Sequence, residues 1–104
     1  MKIWLDDQRG PSRWEGGLDP SEWTWLETIA EVIDAIEAGG VTHVHLDYDL
    51  GWTDQGHTGM DVCDFLFVNK ERLLHEGKMP ELNVHSAHVT NAGKLWKAIR
   101  QIEE

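Results

Sequence analysis

The chain has 104 residues, enough for one compact domain, and its hydrophobic fraction of 40% is typical of a globular protein. A formal net charge of −10 repels phosphate backbones, so we do not expect broad binding to duplex nucleic acid. The single cysteine cannot form an internal disulfide, no apolar run is long enough to span a membrane, and the N-terminus has no signal-peptide pattern. We therefore expect a cytoplasmic protein without a membrane partner, and the oligomeric state stays open.

Short apolar segments that alternate with helical patterns indicate an α/β domain over residues 1–104. The predicted strands are 2–5, 23–26, 41–46 and 82–85. The predicted helices are 28–38, 59–75 and 91–104, and the first of them begins with the capping-box spacing of Thr28 and Glu31. Strands that alternate with helices form parallel sheets with right-handed crossovers. The sequence therefore predicts a four-stranded parallel sheet.

Acidic residues directly follow two of these strands. Asp6 and Asp7 follow the first strand, and Asp47 and Asp49 follow the third. Ligand sites of open parallel sheets lie beyond the carboxyl ends of the strands, so these carboxylates are expected to converge. Their mutual repulsion is relieved by a hard divalent cation such as Mg²⁺ or Mn²⁺, which prefers oxygen ligands. A lone aspartate after a strand is commonly a turn former, so the metal prediction depends on this convergence.

Further polar residues are expected at the same edge of the sheet. Arg9 either binds a substrate phosphate or forms a structural ion pair. His85 and His88 are candidates for proton transfer or metal ligation, and Ser86 is a candidate donor to a phosphoryl oxygen. Thr58 precedes a predicted helix, where it either contacts a bound phosphate or caps the helix.

Other residues that often carry chemistry are given structural interpretations. His43 and His45 alternate within a strand pattern, and we assign them no chemistry. Cys63 lies in the apolar stripe of a predicted helix, which favours a core position over a nucleophilic one. The six tryptophans are expected to pack the core or shield the site.

Residues 4–7 (WLDD) and 45–49 (HLDYD) resemble the receiver domains of two-component response regulators. The resemblance implies a flavodoxin-like, three-layer fold in which Asp6, Asp7 and Asp47 hold Mg²⁺. It also implies that Asp47 matches the phosphoryl acceptor and that Ser86 matches the hydroxyl residue after the fourth strand. No fifth strand with the receiver lysine follows the predicted helix 91–104, which argues against a simple signalling receiver.

A closer resemblance is to cyclic-phosphate processing receiver domains. It is carried by LDDQR at 5–9, LDYDLG at 46–51, TGMDV at 58–62 and HSAH at 85–88. Tyr48 stands where that family usually has a histidine, and His88 stands where it usually has an asparagine. If the missing histidine is catalytic, His85 or His88 must carry its role.

Two classes of function follow from these observations. The first is a metal-dependent phosphoesterase, for which the family resemblance implies cyclic or terminal phosphates of small nucleotides or RNA ends as substrates. Asp47 acts there as a ligand or a nucleophile, and His85 or His88 transfers protons. The second is a non-catalytic receiver-like module that binds phosphate or metal for signalling or interaction.

Overall fold

The structure, a computed structural model, describes residues 1–11, 18–50, 56–85 and 89–104. Its elements in chain order are β1 (Lys2–Leu5), β2 (Trp23–Leu26), α1 (Ile29–Ala38), β3 (His43–Leu46), α2 (Gly59–Val68), α3 (Lys70–His75), β4 (Glu81–Val84) and α4 (Val89–Glu103). The predicted order of strands and helices is confirmed. Among the described helices, none combines the length and apolar character that a membrane span needs.

The strands form one parallel sheet in the order β2-β1-β3-β4. Within the described residues, this is the order of the first four strands of a flavodoxin-like sheet, and the predicted four-stranded parallel sheet is confirmed. The last residues of the strands pair in register: Leu26 with Leu5, Leu5 with Leu46, and Leu46 with Val84. Because the strands are parallel and end at the same level, the residues that follow them lie along one edge of the sheet.

One face of the sheet, the helix-covered face, carries the hydrophobic core. Alternate strand residues point to it because successive side chains of a strand face opposite sides. Buried residues of all four helices complete the same core, and α2 contacts both α1 and α4. The strand residues of this core are Ile3, Leu5, Val44, Leu46, Leu82 and Val84. The described helices therefore form a single layer.

On the opposite face, the Trp/His face, described residues of the segment that joins β1 to β2 accept hydrogen bonds from two strand tryptophans. The indole N–H of Trp4 donates to the carbonyl of Arg9 at 2.6 Å, and that of Trp25 donates to the carbonyl of Asp6 at 2.6 Å. Trp4 and His45 are buried on this face, outside the aliphatic core. Residues 12–17 of this segment lie outside the description, so the described layers are the helices and the sheet, with residues 6–11 and 18–22 of the segment beside them.

One of the three predicted helices is divided in the structure. The predicted helix 59–75 is two helices, α2 and α3, which meet at Asn69. The side-chain amide of Asn69 donates to the carbonyl of Phe65 at 2.9 Å, and such bonds compete with the regular backbone ladder. At α1 the Thr28 hydroxyl accepts the Glu31 backbone N–H, which confirms the predicted cap.

Candidate metal centre

Three buried side chains meet at the carboxyl edge of the sheet. Asp6 follows β1, Asp47 follows β3 and His85 follows β4. Their potential ligand atoms all lie within 4.8 Å of one another. Each residue is buried, with exposed fractions of 1%, 6% and 3% respectively. The parallel register of the strands accounts for this convergence, because it ends all three strands at the same level.

Asp6 is held as an anion by several donors. Its Oδ1 accepts the backbone N–H groups of Gln8 at 2.8 Å and Arg9 at 3.0 Å. Its Oδ2 lies 3.1 Å from Nε2 of His85 and 3.9 Å from Nε of Arg9. Burial by itself raises the pKa of Asp6, but the hydrogen bonds from His85, Gln8 and Arg9 outweigh it and keep that pKa below its usual value.

Asp47 has the opposite electrostatic situation. Its Oδ1 accepts the Tyr48 backbone N–H at 2.9 Å. Burial, followed by the negative charge of Asp6, raises the pKa of Asp47 to about 7, and this hydrogen bond and the Arg9 charge offset the effect in part. The pair of carboxylates thus carries negative charge that its surroundings do not fully compensate. Such a pair suits a divalent cation with oxygen ligands.

His85 is fixed on three sides. Its Nε2 faces Asp6, its Nδ1 lies 2.8 Å from Nδ1 of His45, and its ring stacks on Trp4 at 3.6 Å with 8° between the planes. Burial lowers the pKa of His85, although the adjacent Asp6 carboxylate opposes the effect. Burial and the neighbouring His85 lower the pKa of His45 to about 3. Burial thus favours the neutral form of both imidazoles.

The other two predicted acidic ligands lie outside this group of three. Asp7 is half-buried, and its charge is close enough to contribute to the raised pKa of Asp47. Asp49 is exposed and forms an isolated antiparallel bridge with Thr58. Neither residue has a ligand atom in the cluster of Asp6, Asp47 and His85. Their roles as metal ligands stay predictions.

The remaining predicted site residues have different surroundings. The Thr58 hydroxyl accepts the Met60 backbone N–H at 3.2 Å, and its own N–H donates to Oδ2 of Asp61 at 3.1 Å, so Thr58 is the N-cap of α2. The Arg9 side chain is 48% exposed beside Asp6, which fits the expected ion pair and leaves part of its surface to solvent. Substrate contacts of Thr58 and Arg9 stay predictions. Ser86 and His88 lie outside the described residues.

Gly59 brings the start of α2 against the site. Its N–H donates to the Tyr48 carbonyl at 3.0 Å. A Cβ atom at this position would collide with the backbone carbonyl of Asp47. The glycine of the 58–62 segment is therefore required for the close approach of the helix to the strand end.

His45 is a contributor to the site that the sequence interpretation missed, whereas Trp4 is one of the tryptophans that were expected to pack the core or shield the site. Trp4 lies two residues before Asp6, and His45 lies two residues before Asp47. Because strand side chains alternate between faces, residues at this spacing point to the same side of the sheet. Trp4 and His45 also pair across β1 and β3. This spacing was the available signal. By contrast, the core position of Cys63 is confirmed, since burial leaves it 1% exposed and raises its pKa to about 12.

Comparison with models of known protein families matches residues 1–101 with the cyclic-phosphate processing receiver domain. Neither the curated proteins nor the solved structures include a match to the chain. The family match spans the whole sheet, the three-residue cluster and most of α4. The chain therefore belongs to the family of cyclic-phosphate processing receiver domains.

Proposed function

We propose that this domain is a metal-dependent phosphoesterase that acts on cyclic or terminal phosphates of nucleotides or RNA ends. The observation that carries the proposal is the buried cluster of Asp6, Asp47 and His85 at the carboxyl edge of the sheet. The family's description as cyclic-phosphate processing supports the substrate class. The net charge of −10 favours a small substrate or a single chain end over duplex nucleic acid.

The donor set fits Mg²⁺ or Mn²⁺. Asp6 and Asp47 would hold the ion, and Asp7 and Asp49 are further candidates from the same two loops. The raised pKa of Asp47 reflects negative charge that a divalent cation would compensate. Once bound, the ion would supply Lewis-acid polarisation of a phosphoryl oxygen and activation of a water.

The surrounding residues have separate roles in this proposal. Arg9 lies beside Asp6 with a half-exposed guanidinium, which matches the geometry of phosphate oxygens. Ser86 and Thr58 would donate hydrogen bonds to the phosphate. Both ring nitrogens of His85 lie in hydrogen bonds, which favours a supporting role at Asp6 over direct proton transfer. Proton transfer by His88 is the alternative within this mechanism.

The test is turnover of a panel of 2′,3′-cyclic and linear phosphate esters with Mg²⁺ or Mn²⁺. We expect metal-dependent hydrolysis that Asp47→Asn reduces at least about 100-fold, since it removes a charged ligand or the nucleophile. Asp34→Asn is the matched control, because Asp34 is exposed on α1. Absence of turnover, or turnover that Asp47→Asn leaves unchanged, would refute the proposal.

A receiver-type phosphoacceptor is the second candidate, and the position of Asp47 at the end of a central strand favours it. It requires a covalent aspartyl phosphate after incubation with a small phosphodonor and Mg²⁺. Mass spectrometry of the wild type and Asp47→Asn separates the two candidates. A stable phosphoryl adduct without ester turnover selects the phosphoacceptor, and turnover without an adduct selects the esterase.

A further inference from the structure

The hydrogen bonds of His85 form a chain that begins at His45 and ends at Asp6. His45 Nδ1 lies 2.8 Å from His85 Nδ1, so one hydrogen is shared between these two nitrogens. On the other side of the ring, His85 Nε2 lies 3.1 Å from Asp6 Oδ2. An ionised carboxylate only accepts hydrogen bonds, so His85 Nε2 carries a hydrogen.

This assignment also determines which atom donates in the other hydrogen bond of the chain, between His45 and His85. His45 and His85 are both buried side by side, and burial disfavours the charged form of each imidazole ring, so both rings are taken as neutral. A neutral imidazole has one N–H, so His85 with its hydrogen on Nε2 presents Nδ1 as an acceptor. His45 must then donate from Nδ1. The result is two directed hydrogen bonds in series, from His45 to His85 and from His85 to Asp6.

We propose that His45 is a positioning residue that holds His85 in its Nε2–H tautomer and thereby orients the Asp6 carboxylate. Trp4 fixes the plane of the His85 ring by stacking, but stacking does not distinguish the two ring nitrogens. The bond from His45 makes that distinction. The expected effect on the metal rests on the proposed function, whereas the hydrogen-bond chain itself needs no metal.

Loss of the His45 donor would release this constraint. His85 could then adopt the Nδ1–H tautomer, and Asp6 Oδ2 would lose a donor that lies within a buried site. Residues that orient metal ligands through hydrogen bonds commonly change metal affinity by roughly 10–100-fold when they are removed. His45 is therefore expected to affect metal binding without contacting the ion.

The first measurement is ¹⁵N NMR of the histidine rings in the metal-free protein. In the wild type we expect His85 protonated at Nε2 and His45 protonated at Nδ1. His45→Asn places an amide near the Nδ1 position and should preserve the His85 tautomer, whereas His45→Leu should mix or reverse it. His43→Leu is the matched control, since His43 is in the same strand and pairs with Thr42 and Glu81.

The second measurement is Mn²⁺ affinity by electron paramagnetic resonance. We expect roughly 10–100-fold weaker binding for His45→Leu and values within about threefold of wild type for His45→Asn and His43→Leu. His85 protonated at Nδ1 in the wild type, or an unchanged tautomer in His45→Leu, would overturn the proposal. If His45→Leu does not fold, the wild-type and His45→Asn spectra decide. A wild type that binds no Mn²⁺ refutes the proposed function, and the tautomer still decides the role of His45.

Discussion

The two faces of the sheet are built from alternate residues of the same strands, yet they are held by different forces. On the helix-covered face, side chains such as Ile3, Leu5 and Leu46 are fully buried in an aliphatic core. On the Trp/His face, Trp4, His45 and their neighbours are joined by hydrogen bonds and ring contacts. Within the described residues, no buried side-chain nitrogen or oxygen lacks a hydrogen-bond partner.

The difference separates the stability of the fold from the geometry of the site. Aliphatic packing is non-directional, so it tolerates exchanges that conserve volume. Hydrogen bonds require a particular atom at a particular position, so similar volume does not substitute for them. The helix-covered face should therefore govern folding, and the Trp/His face should govern the position of Asp6 and His85.

The largest effect on stability is expected at Asp47, which follows β3 at the carboxyl edge shared by both faces of the sheet. Burial and the negative charge of Asp6 raise its pKa to about 7 in the folded protein from the ordinary aspartate value of 3.8, so folding favours its protonated form. The contribution of the protonated Asp47 to the free energy of unfolding is fully present below pH 3.8 and is lost as the pH rises to about 7. In metal-free protein, the ionised carboxylate should cost on the order of 4 kcal/mol at pH 8.

Urea unfolding of the wild type and Asp47→Asn between pH 4 and pH 8, with a chelator present, measures this cost. The variant should gain stability relative to the wild type as the pH rises through this range. Mn²⁺ should restore the wild type and leave the variant unchanged. Parallel pH profiles for the two proteins would show that Asp47 is already compensated by other groups.

Leu46→Ala tests the helix-covered face directly. Leu46 is fully buried in the core, so its truncation should lower the free energy of unfolding by about 3 kcal/mol. Leu74→Ala on α3, where the side chain is 55% exposed, should change it by less than about 0.5 kcal/mol. We expect the folded Leu46→Ala protein to bind Mn²⁺ as the wild type does. A loss of affinity as large as that expected for His45→Leu would mean that the faces are not independent.

The sequence was sufficient to predict the parallel sheet and the edge at which Asp6 and Asp47 meet. Short apolar strands followed by acids locate the carboxyl edge, and alternation with helices sets the parallel direction. The sequence was not sufficient to predict that His45 is buried at the site, because a histidine in a strand is equally consistent with an exposed position. Its partner His85 is 40 residues away, and their contact depends on the register of β3 with β4.

The sequence also could not rank the four aspartates at the strand ends. Asp6 and Asp7 are neighbours in the turn after the first strand, and Asp47 and Asp49 lie in the turn after the third. Residue type alone therefore does not distinguish these four aspartates. Burial separates them: Asp6 turns inward to accept two backbone N–H groups, whereas Asp49 is exposed. That difference depends on loop geometry, which residue spacing does not encode.

Gly59→Ala should have an intermediate effect because it disturbs the edge of the helix-covered face where α2 meets the site. The added methyl would collide with the Asp47 carbonyl, so we expect a loss of about 2 kcal/mol in the free energy of unfolding. Gly93→Ala is the matched control in α4, where a Cβ would meet no atom within 4 Å. The control should gain up to about 1 kcal/mol from helix propensity. Equal effects in urea unfolding would contradict the close approach of α2 to Asp47.

Trp25→Phe is the mildest test and the one most specific to the Trp/His face. Trp25 and Trp96 have similar exposed fractions, 45% and 41%, so loss of buried area does not distinguish them. Trp25 donates its indole N–H to the Asp6 carbonyl, and Trp96 lies on α4 at the other face. Trp25→Phe should therefore lower the free energy of unfolding by about 1 kcal/mol. It should also weaken Mn²⁺ binding a few-fold, because the Asp6 backbone loses a donor. Trp96→Phe should leave both quantities near wild type, whereas equal losses would show that directed hydrogen bonds do not organise the Trp/His face.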